Sequence, residues 1–402
     1  VVIIGGGFGG LNAAQALRRA PVEVTLIDRR NFHLFQPLLY QVATGGLSPA
    51  NIAAPLRWVL RRQRNCRVLL GTAQDFDVER REVLLEKGRV GYDTLIVAAG
   101  ATHSYFGHED WAALAPGLKT IEDATEIRAR IFTAFEAAER ENDPARRREW
   151  LNFVIVGAGP TGLELAGALA EISAHSLKHD FRAIDPEEAR ILLLEAGPRV
   201  LAAYPPDLSA QAADALRKLG VEVRTGTLVT DVSPHGVTVR SGEHTEVIPT
   251  RTVLWAAGVQ GSPLAAALAK ATGCPLDRAG RIHVQPDFTL AGHPEIFVIG
   301  DLAHYQQEDG ALLPGVAPAA IQAGRYVARV IIARLRGKTP PVFRYRHLGS
   351  LATIGRSKAV ADLGRFHFSG FFAWITWLLV HLMQLVSFRN RILVLLQWAW
   401  NY

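Results

Sequence analysis

The sequence predicts an α/β protein with two Rossmann-like dinucleotide-binding domains, followed by a C-terminal membrane-associated helical segment. Three observations carry this reading. Two glycine-rich turns, at residues 5–10 and 157–162, each follow a short apolar run and precede a stretch of helical spacing. Each is followed by a second apolar run that ends in an acid, Asp28 and Glu195. The last part of the chain is apolar and aromatic, with basic flanks.

The first unit reads residues 1–4 as a strand, Gly5-Gly6-Gly7-Phe8-Gly9-Gly10 as the turn, and residues 11–19 as the helix. In the second, Phe153-Val154-Ile155-Val156 leads to Gly157-Ala158-Gly159-Pro160-Thr161-Gly162, with the helix over residues 163–172. Both match G-x-G-x-x-G in the context that gives the motif meaning. Gly5 and Gly157 permit the tight turn, Gly7 and Gly159 let backbone amides reach a pyrophosphate, and Gly10 and Gly162 allow the helix to approach its strand. The helix N-terminus then faces the phosphate charge. A single such motif could be an ordinary glycine-rich loop, but two copies, each with strand, helix and acid, argue against that alternative.

A carboxylate at the end of the second strand accepts both ribose hydroxyls of an adenosine and repels a 2′-phosphate. Glu195 therefore favours NADH over NADPH, with Arg199 nearby as the contrary signal. Asp28 lies 18 residues past Gly10, whereas Glu195 lies 33 past Gly162, beyond the usual separation of about 20. An insertion over residues 175–188 accounts for the surplus. Both units also close alike, in Leu95-Ile96-Val97-Ala98-Ala99-Gly100 and Val253-Leu254-Trp255-Ala256-Ala257-Gly258. A third apolar run, Ile296-Phe297-Val298-Ile299-Gly300-Asp301, delivers another acid.

Composition bounds the rest. A chain of 402 residues, 49% hydrophobic and 20% charged, is long enough for two or three domains with cores of their own and has no tract that suggests disorder. Cys66 and Cys274 form neither a C-x-x-C pair nor a zinc-spaced group with histidine, so no disulfide framework or metal site is expected. Both read as structural thiols in a reducing compartment. From residue 340 onward there are seven cations, Arg344, Arg346, Arg356, Lys358, Arg365, Arg389 and Arg391, against the single acid Asp362. That excess equals the net charge of the whole chain, +6. A basic, aromatic tail suits an anionic membrane surface. The apolar runs between the cations argue against nucleic acid.

The paired fingerprints, the paired alanine-glycine strand ends and the late Gly300-Asp301 resemble the two-dinucleotide-binding-domain flavoproteins. That resemblance implies FAD in the first unit, with Asp301 on its ribityl chain, and NADH in the second. It also implies that the second domain is inserted in the first: residues 1–116 and 262–336 for FAD, 117–261 for NADH, and 337–402 for membrane attachment. Residues 122–148 read as one charged, solvated helical stretch leading into the insertion. Disulfide reductases of this design need paired cysteines that are missing here, and sulfide:quinone oxidoreductases would require Cys66 to meet Cys274.

The block Asn31-Phe32-His33-Leu34-Phe35-Gln36-Pro37-Leu38-Leu39-Tyr40-Gln41-Val42-Ala43-Thr44-Gly45-Gly46-Leu47-Ser48-Pro49 resembles the type II NADH:quinone oxidoreductases. So do Gly159-Pro160-Thr161-Gly162-Leu163-Glu164 and Ser387-Phe388-Arg389-Asn390-Arg391. This resemblance implies transfer of two electrons from NADH through FAD to a membrane quinone, ubiquinone or menaquinone, without proton pumping. It places Thr44, Gly100, Gly258, Gly300 and Ala317 with the cofactor-binding residues, and Glu164 and Gln322 with the chemistry. It further implies a monotopic position on the cytoplasmic face of a bacterial inner membrane, and a homodimer is a further expected partner. One departure is clear: the family's A-Q-x-A-x-Q reads Ala317-Pro318-Ala319-Ala320-Ile321-Gln322 here, so Pro318 removes one polar contact to a quinone.

Glu164 has two readings, a first-turn carboxylate stabilised by the helix dipole or, as the resemblance implies, a group at the nicotinamide–flavin junction that orients NADH or passes a proton to the reduced flavin. Gln322 likewise reads as a quinone contact or as a helix-packing amide. Two other functions stay open: a flavin reductase serving a soluble redox protein such as a ferredoxin, and a non-catalytic FAD/NADH redox sensor.

Residues 371–388 read as one apolar helix with a narrow polar stripe of His381, Gln384 and Ser387, flanked by Arg365, Arg389 and Arg391. Spanning, interfacial and buried-core readings compete. The stripe, the cations and Trp398 and Trp400 in the following run favour a helix embedded from one leaflet. His381 reads as a residue of the polar stripe more readily than as a quinone ligand.

Overall fold

The computed structural model describes residues 1–364 and 366–401, so Arg365, one of the flanking cations, lies outside the described residues. The chain forms two compact units. The first comprises Val1–Leu34, Ala53–Thr102 and Val259–Leu348; the second comprises Phe35–Ile52, His103–Gly258 and Gly349–Tyr402.

Six strands form the central sheet of the first unit, in the order Thr289–Leu290, His293–Val298, Leu95–Val97, Val2–Ile4, Val24–Asp28 and Cys66–Leu70. Only the Thr289–Leu290 pairing is antiparallel. The inner strands are apolar on both faces, as a parallel sheet covered on two sides requires: Ile3, Leu26, Ile96 and Phe297 are all buried. Helix Phe8–Ala16 follows the first glycine turn and meets helix Ala317–Leu335 closely. A Cβ on Gly324 would strike the Gly9 carbonyl, which is why a small residue stands at that crossing. Cys66 and Cys274 are both free, and burial pushes the Cys66 thiol up to about 11.

The second unit repeats the plan with a parallel sheet in the order Val221–Arg224, Arg190–Leu194, Asn152–Val156 and Thr252–Trp255. An antiparallel meander, Leu228–Ser233, Gly236–Ser241 and His244–Pro249, adds to its core through Val229, Val237 and Ile248. The expected insertion between helix and strand is a π-helical turn at Ile172–Ser176 and a short 3-10 turn at Pro186–Glu188. The charged stretch over residues 122–148 is two helices, Ile121–Arg140 and Pro144–Leu151, because Asp143 caps the second and Pro144 opens it.

Residues 337–402 hold more than helices. Three antiparallel strands, Ser350–Thr353, Ala359–Asp362 and His367–Gly370, precede helix Phe371–Gln384, which packs on them through Ala373 and Trp377. The expected single helix over residues 371–388 breaks at Leu385, whose φ −57°, ψ 129° is extended, and a second helix runs Phe388–Asn401. Each helix has 14 residues, a length of about 21 Å against a hydrocarbon core of about 30 Å. Among the described residues no helix is long and apolar enough to cross a membrane.

Candidate functional site

The two glycine turns are built alike. Gly5 has φ +98° and Gly157 φ +97°, left-handed conformations that favour glycine, and a Cβ on either would collide with the backbone of its closing strand at Ala98 or Ala257. A Cβ on Gly10 or Gly162 would strike the carbonyl oxygen of the turn's first glycine. A Cβ on Gly7 or Gly159 would meet nothing within 4 Å. The middle glycine of each turn therefore borders open space at a helix N-terminus, with no side chain capping the amides. That is the cradle a pyrophosphate needs.

Both acids brace their own turn. Asp28 Oδ2 accepts the Gly6 amide at 2.5 Å and Oδ1 the Arg30 amide at 2.6 Å. Glu195 Oε2 accepts the Ala158 amide and Oε1 the Gly197 amide, both at 2.8 Å. Each carboxylate oxygen retains a lone pair for a ribose hydroxyl. Burial raises the Asp28 pKa, and the backbone donors pull it back. Arg199 donates to the carbonyls of Tyr204 and Ala202, both at 2.7 Å, which commits its guanidinium to the backbone. Gly100, Gly258 and Gly300 end their strands at φ +70°, +71° and +72°. In the first unit Asp301 is half-buried, and a Cβ on Gly315 would lie 3.5 Å from its Oδ1. Ala317 opens helix Ala317–Leu335, with Pro318 in its first turn.

Glu164 departs from the dipole reading. Helix Pro160–Glu171 begins three residues before the expected start because Pro160 takes the first helical position. Glu164 is therefore the fifth residue, in the second turn, where the helix dipole offers little. It is 8% exposed, and burial lifts its carboxyl to about 8 against one opposing backbone bond from Thr353. It lines a cavity of about 340 Å3 in the second unit together with Tyr40, Thr44, Thr353 and Trp377. Thr44 donates its hydroxyl to the Tyr40 carbonyl at 2.8 Å. Glu171, one helical face along, also borders the cavity and accepts the Arg356 amide.

Gln322 is bonded within the first unit. Its Nε2 donates to the Arg346 carbonyl at 2.9 Å and its Oε1 accepts the Arg346 amide at 3.0 Å. The polar stripe of the tail does not form: Ser387 lies beyond the helix and is buried, Gln384 is exposed, and His381 turns inward. His381 stacks on Trp377 at 4.4 Å, its Nδ1 lies 2.7 Å from the Trp377 carbonyl, and burial lowers its pKa to about 4.

The sequence does not single out Tyr40 or Gln41, and it reads Trp398 only as an interfacial residue; the three meet at the cavity. Gln41 Nε2 donates to the Tyr40 hydroxyl and Trp398 Nε1 to Gln41 Oε1, both at 2.8 Å. Tyr40 and Gln41 lie inside the block at residues 31–49, so the signal was present. Their link to the terminal helix is a tertiary contact across more than 350 residues.

Residues 1–324 match the family described as Pyridine nucleotide-disulphide oxidoreductase, and residues 347–402 match the NDH2 C-terminal domain. The chain is 49% identical to the type II NADH:quinone oxidoreductase Ndh of Mycobacterium tuberculosis over 407 aligned residues, covering 99% of this chain and 87% of that protein. It is 48% identical to NdhA of the same organism, over 100% of this chain and 87% of that protein. In fold it is similar to a solved structure of NDH2 from Plasmodium falciparum in complex with NADH, at a TM-score of 0.91 and 22% identity, covering 98% of this chain and 96% of that one. By these matches the chain belongs to the pyridine nucleotide-disulphide oxidoreductases and, within them, to the type II NADH:quinone oxidoreductases.

Proposed function

We propose that this chain is an FAD-dependent NADH:quinone oxidoreductase that works from a membrane surface without pumping protons. The observation that carries the reading is the pair of like-built turns, each with open space at its middle glycine and a carboxylate braced on its amides. In the first unit Gly5, Gly7, Gly10 and Asp28 hold the adenosine diphosphate part of FAD, and Asp301 holds the ribityl chain, with Gly100, Gly300 and Ala317 beside it. In the second unit Gly157, Gly159, Gly162 and Glu195 hold NADH, with Gly258 at the close of the sheet. Bound FAD would accept a hydride from NADH and return two electrons to a quinone.

A quinone that gains two electrons needs two protons to leave as a quinol; since NADH gives up one hydrogen as hydride, the balanced reaction takes one further proton from solvent. Glu164, whose burial keeps it protonated near neutral pH, supplies one of them from the cavity wall. Thr44, on the same wall, contributes its backbone and hydroxyl to the shape of that site. Gln322, which the family resemblance gives to the quinone step, is bonded at both ends of its amide to the backbone of Arg346. The tail attaches the protein to the leaflet: Phe371, Phe372, Leu379 and Met383 are exposed on one terminal helix, and Ile392, Leu396 and Trp400 on the other. NADH as the reductant and relatives from Mycobacterium tuberculosis at 48–49% identity support a position of this surface on the cytoplasmic face of a bacterial inner membrane.

The test is steady-state NADH oxidation by detergent-purified full-length protein with short-chain ubiquinone and menaquinone analogues and with a soluble one-electron acceptor. Rapid turnover with a quinone is expected. Slow NADH oxidation with every acceptor would instead make the chain a redox sensor, and turnover with a ferredoxin but no quinone would make it a ferredoxin reductase.

A further inference from the structure

A quinone carries two carbonyl oxygens and no donor, so a cavity that recognises it must present hydrogen-bond donors lacking acceptors of their own. The cavity beside Glu164 has such a donor, and its direction is set from a distance. The indole of Trp398 has only an N–H to offer, so the Gln41 atom facing it at 2.8 Å must be the carbonyl Oε1. That choice turns the Gln41 amide nitrogen toward Tyr40, 2.8 Å from its hydroxyl oxygen. An amide NH2 only donates, so the phenol oxygen accepts there and its own hydrogen must go elsewhere. Among the described residues that hydrogen has no recorded acceptor.

Tyr40 is 6% exposed and lines the cavity with Glu164 and Trp377. Trp377, 2% exposed, has a buried indole N–H without a partner among the described residues. Tyr40 and Trp377 thus line one cavity, the first with a hydroxyl hydrogen left uncommitted by its neighbours. Burial and the neighbouring Glu164 hold the Tyr40 phenol well above its usual range, so it keeps its proton.

We propose, resting on the reading of this cavity as the quinone site, that the Tyr40 hydroxyl donates a hydrogen bond to a carbonyl oxygen of the bound quinone. Trp398, acting through Gln41, is the positioning residue that keeps Tyr40 a donor. The terminal helix is thereby part of the specificity of the site as well as an attachment surface. Without Trp398 the Gln41 amide is free to reverse, its Oε1 takes the Tyr40 hydrogen, and the donor is lost to the substrate.

Four variants of the full-length protein test this: Tyr40→Phe, Gln41→Glu, Trp398→Phe, and Tyr40→Phe combined with Trp398→Phe. The readout is KM against kcat for a short-chain ubiquinone analogue, alongside stopped-flow reduction by NADH. Each single variant should raise the quinone KM roughly fivefold to tenfold, the size of one lost hydrogen bond, with a smaller change in kcat. Gln41→Glu keeps its neighbours' rings in place and offers Tyr40 only an acceptor, so it isolates the direction of the bond from the seating of the helix. The double variant should be no worse than Tyr40→Phe alone, because Trp398→Phe keeps an aromatic ring on the cavity wall beside Trp377 and, once the Tyr40 hydroxyl is gone, the lost indole N–H has no donor left to hold in place. Multiplied effects in the double variant, or an unchanged KM in Tyr40→Phe, would overturn the proposal. If the unaltered protein reduces a soluble acceptor but no quinone, the reading of the cavity itself fails, and the unaltered protein alone reveals it.

Discussion

Glu195 accepts the amide hydrogen of Ala158 at 2.8 Å, so the residue expected to choose the coenzyme also fastens the turn that would hold it. The two duties separate by substitution. Glu195→Gln keeps an oxygen for the Ala158 amide but removes the negative charge that rejects a 2′-phosphate. It should lower the NADH/NADPH ratio of kcat/KM by about tenfold, and because its amide NH2 then faces the Gly197 N–H it should lower the melting temperature by part of what Glu195→Ala loses. Glu195→Ala should lose the preference and also about 1–2 kcal/mol of stability, since the amides of Ala158 and Gly197 both lose their acceptors. An unchanged coenzyme ratio in both variants would remove Glu195 from the ribose site.

The same logic applies to Asp28 and Gly6 in the first unit. Asp28→Ala should release FAD during gel filtration, read as loss of visible absorbance per protein. It should leave the NADH/NADPH preference of the flavin-loaded fraction as it was. A shift in that preference would show that the two turns do not serve separate nucleotides.

How much of this was legible in the sequence depends on how local each requirement is. The glycine turns and their acids could be read because each answers a demand of the backbone within a few residues: a left-handed Gly5, an amide-bracing Asp28. Helix starts were misjudged by three residues in both units, since Gly7 and Gly159 act as N-caps without a polar side chain to announce them. That shift carried Glu164 out of the first turn. The single helix expected over residues 371–388 fails for a related reason: no glycine or proline marks the break at Leu385, so the apolar run reads as continuous. The bonds from Trp398 to Gln41 and from Gln322 to Arg346 are tertiary, and a hydrophobic pattern contains no trace of them.

Burial of Glu164 has two consequences with pH. Its folded-state pKa of about 8 stands above the usual value of 4.5, so between these the unfolded chain has released a proton that the folded chain keeps. Stability from this group is therefore full below pH 4.5, falls as pH rises toward 8, and levels off above it. Glu164→Gln should flatten that slope, with the gain in melting temperature largest near pH 9. In the reaction, quinone-driven reoxidation of the wild type should slow as pH passes 8 and the carboxyl ionises, and Glu164→Gln should be slow throughout. Stopped-flow reoxidation between pH 6 and 9.5 distinguishes these profiles, and identical profiles would deny Glu164 the proton.

Gln322 fastens Arg346 by both ends of its amide. Two partly exposed hydrogen bonds are together worth about 1–2 kcal/mol, so Gln322→Ala should lower the denaturation midpoint accordingly. If the fastened segment serves the quinone step, reoxidation by quinone should slow while reduction by NADH holds its rate. Equal slowing of both half-reactions would assign the effect to general loosening.

The terminal helices offer the sharpest test of membrane attachment, because their buried and exposed residues are now distinguished. Cutting the chain near Gly364 would remove the His367–Gly370 strand that pairs with Ala359–Asp362, and so would damage the fold along with the surface. Substitution avoids this. Ile392, Leu396 and Trp400 are 44%, 60% and 90% exposed, whereas Val394 is fully buried. Changing the three exposed residues to serine should leave the fold and reduction by NADH intact. Burying three such side chains in a leaflet is worth several kcal/mol at about 25 cal/mol per Å2, so the variant should fail to float with liposomes that contain anionic lipid. High salt should not release the unaltered protein, because screening removes only the contribution of cations such as Arg389. Lipophilic quinones should be reduced more slowly by the variant than water-soluble analogues, since the substrate in the first case must be drawn from the bilayer. If the variant still floats but changes from dimer to monomer on sedimentation, the apolar face joins two copies of this chain and membrane attachment lies elsewhere.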